Sequence, residues 1–237
     1  MRLRDRFRCN RPSWITTVYG LAFGALFLLP AGARAGVYWI DETDQYYEKS
    51  SWWSDADGSR VGDSCLDTYD DGVVRSWYLK ERNVRDYRKS YHFCRDMRTD
   101  GTLGSDYARE EHFWYSGSST SGNSSIPTDK LPVGVRLTWD FISVGTYVAS
   151  DWKLEDVELH FDDANDILDG RTNHDRAGAA FGHDGSQRDL DCDTGYVMTG
   201  LWVKARHESA RSQAEILAVR IECSGLYDRP SATATYD

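Results

Sequence analysis

Apolar and polar residues alternate with a period of two along much of this chain. Over residues 133–141, Val133, Val135, Leu137, Trp139 and Phe141 fall on one face, and Gly134, Arg136, Thr138 and Asp140 on the other. Alternation this strict predicts an antiparallel strand buried on one side. Val157, Leu159 and Phe161 repeat it with Glu158 and His160 outward, and so do Leu217, Val219, Ile221 and Cys223. Val197, Thr199, Leu201 and Val203 make one face of the strand before these, and residues 72–80 and 87–94 pattern as the two arms of a hairpin. Asp-Gly pairs at 57–58, 71–72, 100–101, 169–170 and 184–185 punctuate the runs. Both residues tolerate the positive φ that tight hairpin turns need. The pattern predicts an all-β fold: an antiparallel sandwich or prism-like sheet assembly with meander or Greek-key connections. Residues 207–217 are the best helical stretch, although their last positions fit a strand better.

The ends read differently. Arg2, Arg4, Arg6, Arg8 and Arg11 precede an apolar core at residues 21–29, then Pro30 and Gly32, then Ala33-Arg34-Ala35. That order predicts a secretory signal peptide over residues 1–35. The apolar core is shorter than the ~20 residues of a spanning helix, so no membrane span is expected in the mature chain. The expected product is a secreted protein, extracellular or periplasmic, with a β domain over 36–227 and a flexible tail over 228–237. Residues 116–125 are nearly all Ser, Gly, Thr and Asn and predict an exposed loop joining two subunits of structure, 36–115 and 126–227. Residues 162–191, rich in Asp, Gly and His, are too long for an ordinary connector and point to function or disorder.

Charge narrows the partners. The chain carries a formal −10, and residues 1–35 hold six arginines against one aspartate, so the remainder is more acidic still. Such a surface repels phosphate backbones and argues against nucleic acid. Nine Trp and fourteen Tyr exceed ordinary core needs and suit stacking surfaces as well as cores.

Four cysteines remain beyond residue 35, bracketing two segments of similar length: Cys65 to Cys94 and Cys192 to Cys223. An even count in an exported chain predicts two disulfides. Cys65–Cys94 with Cys192–Cys223 is favoured, since a hairpin brings its own ends together; a crossed pairing such as Cys65–Cys223 is the alternative. The brackets overlay as a loose repeat, residues 72–80 opposite 195–204, or else are two ordinary hairpins. Residues 192–201, closing at Ile221-Glu222-Cys223, resemble the cysteine-bracketed strand pairs of dermatopontin-like and vitelline-membrane-outer-layer-like secreted proteins, as do Ser76, Asp86 and the aromatic before Cys94. Asp86-Tyr87-Arg88 departs from the Asp-Arg-x-Trp run of the first of these. The resemblance implies an extracellular matrix or glycan-associated role and assigns no catalytic residue.

Candidate chemistry concentrates before the first bracket. Tyr46, Tyr47, Trp52 and Trp53 lie among Asp44 and Asp55. Aromatic faces stack on sugar C–H faces, and carboxylates accept hydroxyl hydrogen bonds, so these six residues are the candidate glycan site; the same rings also suit the cap of a β core. Adjacent strand residues point oppositely, so one of Trp52 and Trp53 should face outward. No cofactor is expected. Ca²⁺ is the one metal suggested, at Asp55, Asp57 and Asp63 or at Asp162, Asp163, Asn165, Asp166 and Asp169, but the first set lacks a leading aspartate and a following bidentate Glu, and acidic turns explain both. His174 and His183, each before an Asp, could serve base catalysis or simply be solvated; His112 beside Glu110 and Glu111 reads the same way. The favoured reading is a secreted, non-catalytic binder of extracellular or cell-surface glycans. The alternatives are a secreted carboxylate-dependent hydrolase and a structural envelope or matrix protein without a small ligand.

Overall fold

A computed structural model describes residues 36–50, 53–54, 58–83, 86–141 and 152–230. The strands are β1 (Gly36–Lys49), β2 (Ser59–Ser64), β3 (Gly72–Asn83), β4 (Asp86–Met97), β5 (Leu103–Trp114), β6 (Thr120–Ser125), β7 (Leu131–Phe141), β8 (Trp152–Asp162), β9 (Asp175–Arg176), β10 (Ser186–Asp191), β11 (Tyr196–Glu208) and β12 (Gln213–Pro230). Every pairing is antiparallel. One short helix, α1 (Ala164–Leu168), lies between β8 and β9. No helix among the described residues is long and apolar enough to cross a membrane.

The strands form an eight-stranded and a four-stranded sheet. A single pair, Ala214 opposite Tyr87, joins the two halves of the larger sheet, so the fold is built of three four-stranded units. Their spatial orders are β6-β3-β4-β5, β10-β7-β8-β9 and β2-β11-β12-β1. Each is a Greek key, the fourth strand returning beside the first; the third unit draws its last two strands from the other end of the chain. One buried cluster runs through all three, with Trp77, Leu79, Val135, Leu137, Leu159, Leu201 and Ile221 fully inside. The expectation of an all-β, antiparallel sheet assembly, a sandwich or prism-like, is met with three four-stranded units.

The registers of the three central hairpins coincide. Val74 faces Cys94 and Ser76 faces Phe93, leaving Arg75 bulged. Pro132 faces Phe161 and Gly134 faces His160, leaving Val133 bulged. Met198 faces Cys223 and Gly200 faces Glu222, leaving Thr199 bulged. A second shift follows in each, at Lys80/Glu81, Thr138/Trp139 and Lys204/Ala205. The repeat is therefore threefold, and Tyr196, rather than Gly195, falls opposite Gly72. Bulges of this kind raise local twist and re-aim side chains.

Both disulfides form as favoured, Cys65–Cys94 and Cys192–Cys223. Each ties the residue after one unit's fourth strand to the second strand of the next unit. At the remaining junction the matching positions are Ile126 and Phe161, an apolar pair packed into the same core.

Several segments depart from expectation. Residues 120–125 form β6 on the edge of β3, with Gly122 and Ser124 buried, where a loop was predicted; β1 and β2 pair with β12 and β11, so the two predicted halves share one sheet. The 207–217 stretch is a strand end, a 3₁₀ turn at Ser209–Arg211, and the start of β12. Residues 162–191 are ordered by α1, β9 and β10. His160, expected outward, is buried against Asp191, because β9 and β10 flank the central hairpin. Of the described Asp-Gly glycines beyond Gly58, Gly101 and Gly170 take positive φ while Gly72 and Gly185 do not. Residues 1–35 and 231–237 lie outside the described residues.

Candidate functional site

Strand alternation divides the predicted aromatic site in two. Tyr46 and Tyr47 are consecutive on β1 and project to opposite sides. Tyr46 opposes Cys223 and packs against the core. Its ring meets Tyr196 edge-on at 5.0 Å, and its hydroxyl accepts from the Asp193 backbone N–H. Burial pushes that hydroxyl up to about 12. Asp44 accepts from the hydroxyls of Tyr196 at 3.0 Å and Tyr227 at 2.7 Å. Tyr46 and Asp44 thus tie the β1 edge together; their polar atoms are already engaged.

Tyr47 belongs to another set. It opposes Glu222 on the outer face and is 46% exposed. Its ring meets Trp202 edge-on at 5.7 Å. The Arg220 guanidinium lies 4.1 Å from the Tyr47 ring centre, 4.5 Å from that of Trp202 and 5.2 Å from that of Trp53. Arg60 flanks Trp202 at 5.5 Å, and Lys204 flanks Trp53 at the same distance. Arg220 is 9% exposed, and its Nε and Nη2 have no hydrogen-bond partner; the ring faces supply its stabilisation. Below this layer Glu222, 3% exposed, accepts from Ser64 Oγ at 2.5 Å and Thr199 Oγ1 at 3.1 Å. Trp53 lies in a turn after β1, its N–H bonded to the Ser50 carbonyl at 2.9 Å, so strand alternation does not govern it. Trp52, Asp55 and Asp57 lie outside the described residues.

Two glycines let this layer form. The Trp202 ring lies over Gly200, where a Cβ would come within 2.6 Å of it. Gly62 pairs with Trp202 at φ +128°, and a Cβ there would lie 2.7 Å from Trp202 Cα. That clash is with backbone and cannot be relieved by a rotamer change. Gly62→Ala should cost at least about 2 kcal/mol by strain and displacement of β2. Equilibrium urea unfolding of the variant measures this, and an unchanged midpoint would refute it.

The same outward row recurs on the first unit in aromatic form. Tyr78 stacks on Tyr91 at 4.5 Å, and Tyr91 on Trp114 at 6.2 Å. Arg109 lies 5.1 Å and Lys89 3.1 Å from the Trp114 ring centre. Trp114 is 45% exposed. On the second unit the row is ionic: Arg136, opposite Glu158 and Asp189, donates to Asp189 through Nε at 2.6 Å and Nη2 at 2.8 Å. These rows escaped the sequence because their members come from different strands, brought into line by the bulges.

The remaining candidates are engaged elsewhere. Asp63 accepts from the Ser64 N–H at 3.0 Å and shares a hydrogen bond with Asp67, which raises the Asp67 carboxyl. Asp162 is bound by His174 and Arg171, Asp163 by Lys130, and Asp166 by Arg171. Asn165 accepts from Tyr38 at 2.8 Å. Cations and donors, rather than one shared centre, satisfy this acidic set. His183 meets Glu81 at 3.0 Å, while Asp156 accepts from the backbone N–H groups of Phe181, Gly182 and His183. These contacts pin the 177–185 segment to the sheets. His112, predicted beside Glu110 and Glu111, is buried in contact with Ser90 and His92.

No family model and no curated protein matches the chain. Among solved structures it is similar to single-chain recombinant jacalin, at 9% identity over 76% of this chain and 95% of that one, TM-score 0.46. It is similar to a mannose-specific jacalin-related lectin from Morus nigra in complex with mannose, at 10% identity over 78% and 95%, TM-score 0.42. A prostate-specific WGA16 glycoprotein lectin is similar at 11% identity over 74% and 96%, TM-score 0.42.

Proposed function

We propose that this is a secreted, non-catalytic glycan-binding protein whose sugar-stacking surface includes the Tyr47–Trp202–Arg220 layer. The observation that carries the reading is the contrast between equivalent rows. The second unit builds its outward row from Arg136, Asp189 and Glu158, so this fold does not require rings there. At the position matching Arg136 the third and first units place the rings of Trp202 and Tyr78, and in the same clusters lie the partly exposed rings of Tyr47 and Trp114, in contact with arginines and lysines. Rings fixed in advance bind a sugar face at little further entropic cost. Secretion is supported by the basic-then-apolar order of residues 1–35 and by two disulfides, which persist in oxidising compartments.

The test is a glycan array followed by calorimetry on the best ligand. Tyr47→Ala should weaken binding about tenfold, near 1.4 kcal/mol, in a variant that circular dichroism shows to be folded. A folded wild type that retains no glycan would end the proposal.

A further inference from the structure

Beside the first unit's aromatic row lies a cleft of about 160 Å³, lined by Arg75, Ser76, Phe93, Arg95, Tyr107 and Ser125. Arg75 Nη1 donates to Ser125 Oγ at 2.6 Å, and Arg95 Nη1 donates to the Gly104 carbonyl at 2.7 Å. Arg75 Nε is buried without a partner. Neither arginine forms an ion pair among the described residues, although the chain carries a formal −10. Burial and the neighbouring Arg95 both depress Arg75, as expected for two guanidinium groups facing one space without a counter-ion.

The threefold repeat shows what that space lacks. In the third unit the position matching Phe93 is Glu222, and Ser64, Thr199 and Ser224 match Ser125, Arg75 and Arg95. There the carboxylate is internal: Ser64 and Thr199 donate to Glu222, and Thr199 bonds Ser224 at 2.7 Å. In the second unit the matching pair is His160 and Asp191, joined at 2.6 Å. Both of these units hold a carboxylate at this point. The first unit replaces it with the Phe93 ring, turns the two flanking positions into arginines and leaves a cleft. Tyr107, 63% exposed and edge-on to Phe93 at 5.3 Å, completes an aromatic wall.

We propose that the cleft formed by Arg75, Arg95, Phe93 and Tyr107 binds the acid group of a charged sugar, a carboxylate or sulfate borne on a hexose. The oxyanion takes the place that Glu222 fills in the third unit, and the rings of Phe93 and Tyr107 meet the sugar face. Paired planar guanidinium groups match carboxylate or sulfate oxygens through several charge-assisted hydrogen bonds. The anion half follows from the cleft alone; the sugar half rests on the glycan-binding reading.

Calorimetry with glucuronic acid, glucose 6-sulfate, glucose and sodium acetate tests this. Glucuronic acid or glucose 6-sulfate should bind at least tenfold tighter than glucose and acetate, and the better of the two identifies the acid group. Arg75→Gln and Arg95→Gln should each weaken that binding at least tenfold. Tyr107→Ala, on an exposed ring, should weaken it severalfold without touching the fold. Acetate binding as tightly as glucuronic acid would overturn the sugar half. Equal binding of glucose and the acids, unaffected by the arginine variants, would overturn the inference while leaving the glycan reading intact. No binding of any probe would overturn the inference, leaving the glycan reading to the array.

Discussion

Acidification from pH 6.5 to 5 should destabilise this protein by about 3 kcal/mol. The source is a buried polar chain between β3, β4 and β5. Trp77 Nε1 donates to Ser90 Oγ at 3.1 Å, Ser90 meets His112 Nδ1 at 2.8 Å, and His112 Nε2 meets His92 Nδ1 at 2.9 Å. His92 is 0% exposed and His112 5%. Burial pushes His112 down to about 3. Burial and then its His112 neighbour push His92 well below its ordinary value. The unfolded chain protonates both near pH 6.5, and the folded chain does not. Each therefore removes stability as pH falls below 6.5, by about 1.4 kcal/mol per pH unit, toward the depressed folded values. Because the unfolded histidines are already half protonated at pH 6.5, the two together lose about 3 kcal/mol by pH 5, a large share of a typical ~5–15 kcal/mol total. Guanidinium unfolding at pH 7, 6 and 5 should show the loss growing below pH 6.5, while the imidazole proton resonances of His112 stay at their neutral positions. A flat stability profile would show that these rings take up protons in place.

The same chain illustrates what could be read in advance. His92 sits on a strand that alternation marked and His112 on β5, which it did not, and their meeting depends on the β4–β5 register, shifted between Ser90 and Tyr91. Alternation marked β7, β8, β11 and β12 because their apolar faces line the core. It missed β6, whose Thr-Ser-Gly-Asn-Ser-Ser carries no apolar signal; its edges are fixed by hydrogen bonds to β3 and by Ser124 Oγ accepting from Leu159 N–H at 2.8 Å. Cysteines revealed two repeats of three, since the remaining junction uses Ile126 and Phe161. The candidate site was legible at Tyr47 and Trp53 but not at Trp202, Arg220, Arg75 or Arg95. Trp202 and Arg220 fall outward where alternation puts them, but no periodicity shows that they meet Tyr47 across strands, and Arg75 is the bulged residue of its hairpin, which alternation cannot place.

The disulfides carry the other large effect. Replacing Cys192 and Cys223 by alanine should cost about 3–4 kcal/mol, the chain-entropy value for a loop with a sequence separation of 31. Both residues are buried, at 6% and 0% exposure, so lost sulfur packing adds to the loss. The bond joins the end of β10 in the second unit to β12 in the third. Its loss frees a junction as well as a hairpin, and the two units are then held by their shared apolar core and by non-covalent links such as Tyr38 to Asn165. For a chain of this size the change corresponds to a melting temperature lower by roughly 6–16 °C. Cys65→Ala with Cys94→Ala should behave alike, because that bond has the equivalent place between the third and first units and a separation of 29. At the third such joint the matching positions are Ile126 and Phe161, both set in the apolar core and without a covalent link. The double variants should therefore fold at low temperature and lose stability without losing the sheet signature in circular dichroism. Scanning calorimetry on both, beside reduced wild type, checks the magnitude. A shift under about 2 °C would mean that packing alone already holds these two junctions, as it holds the third.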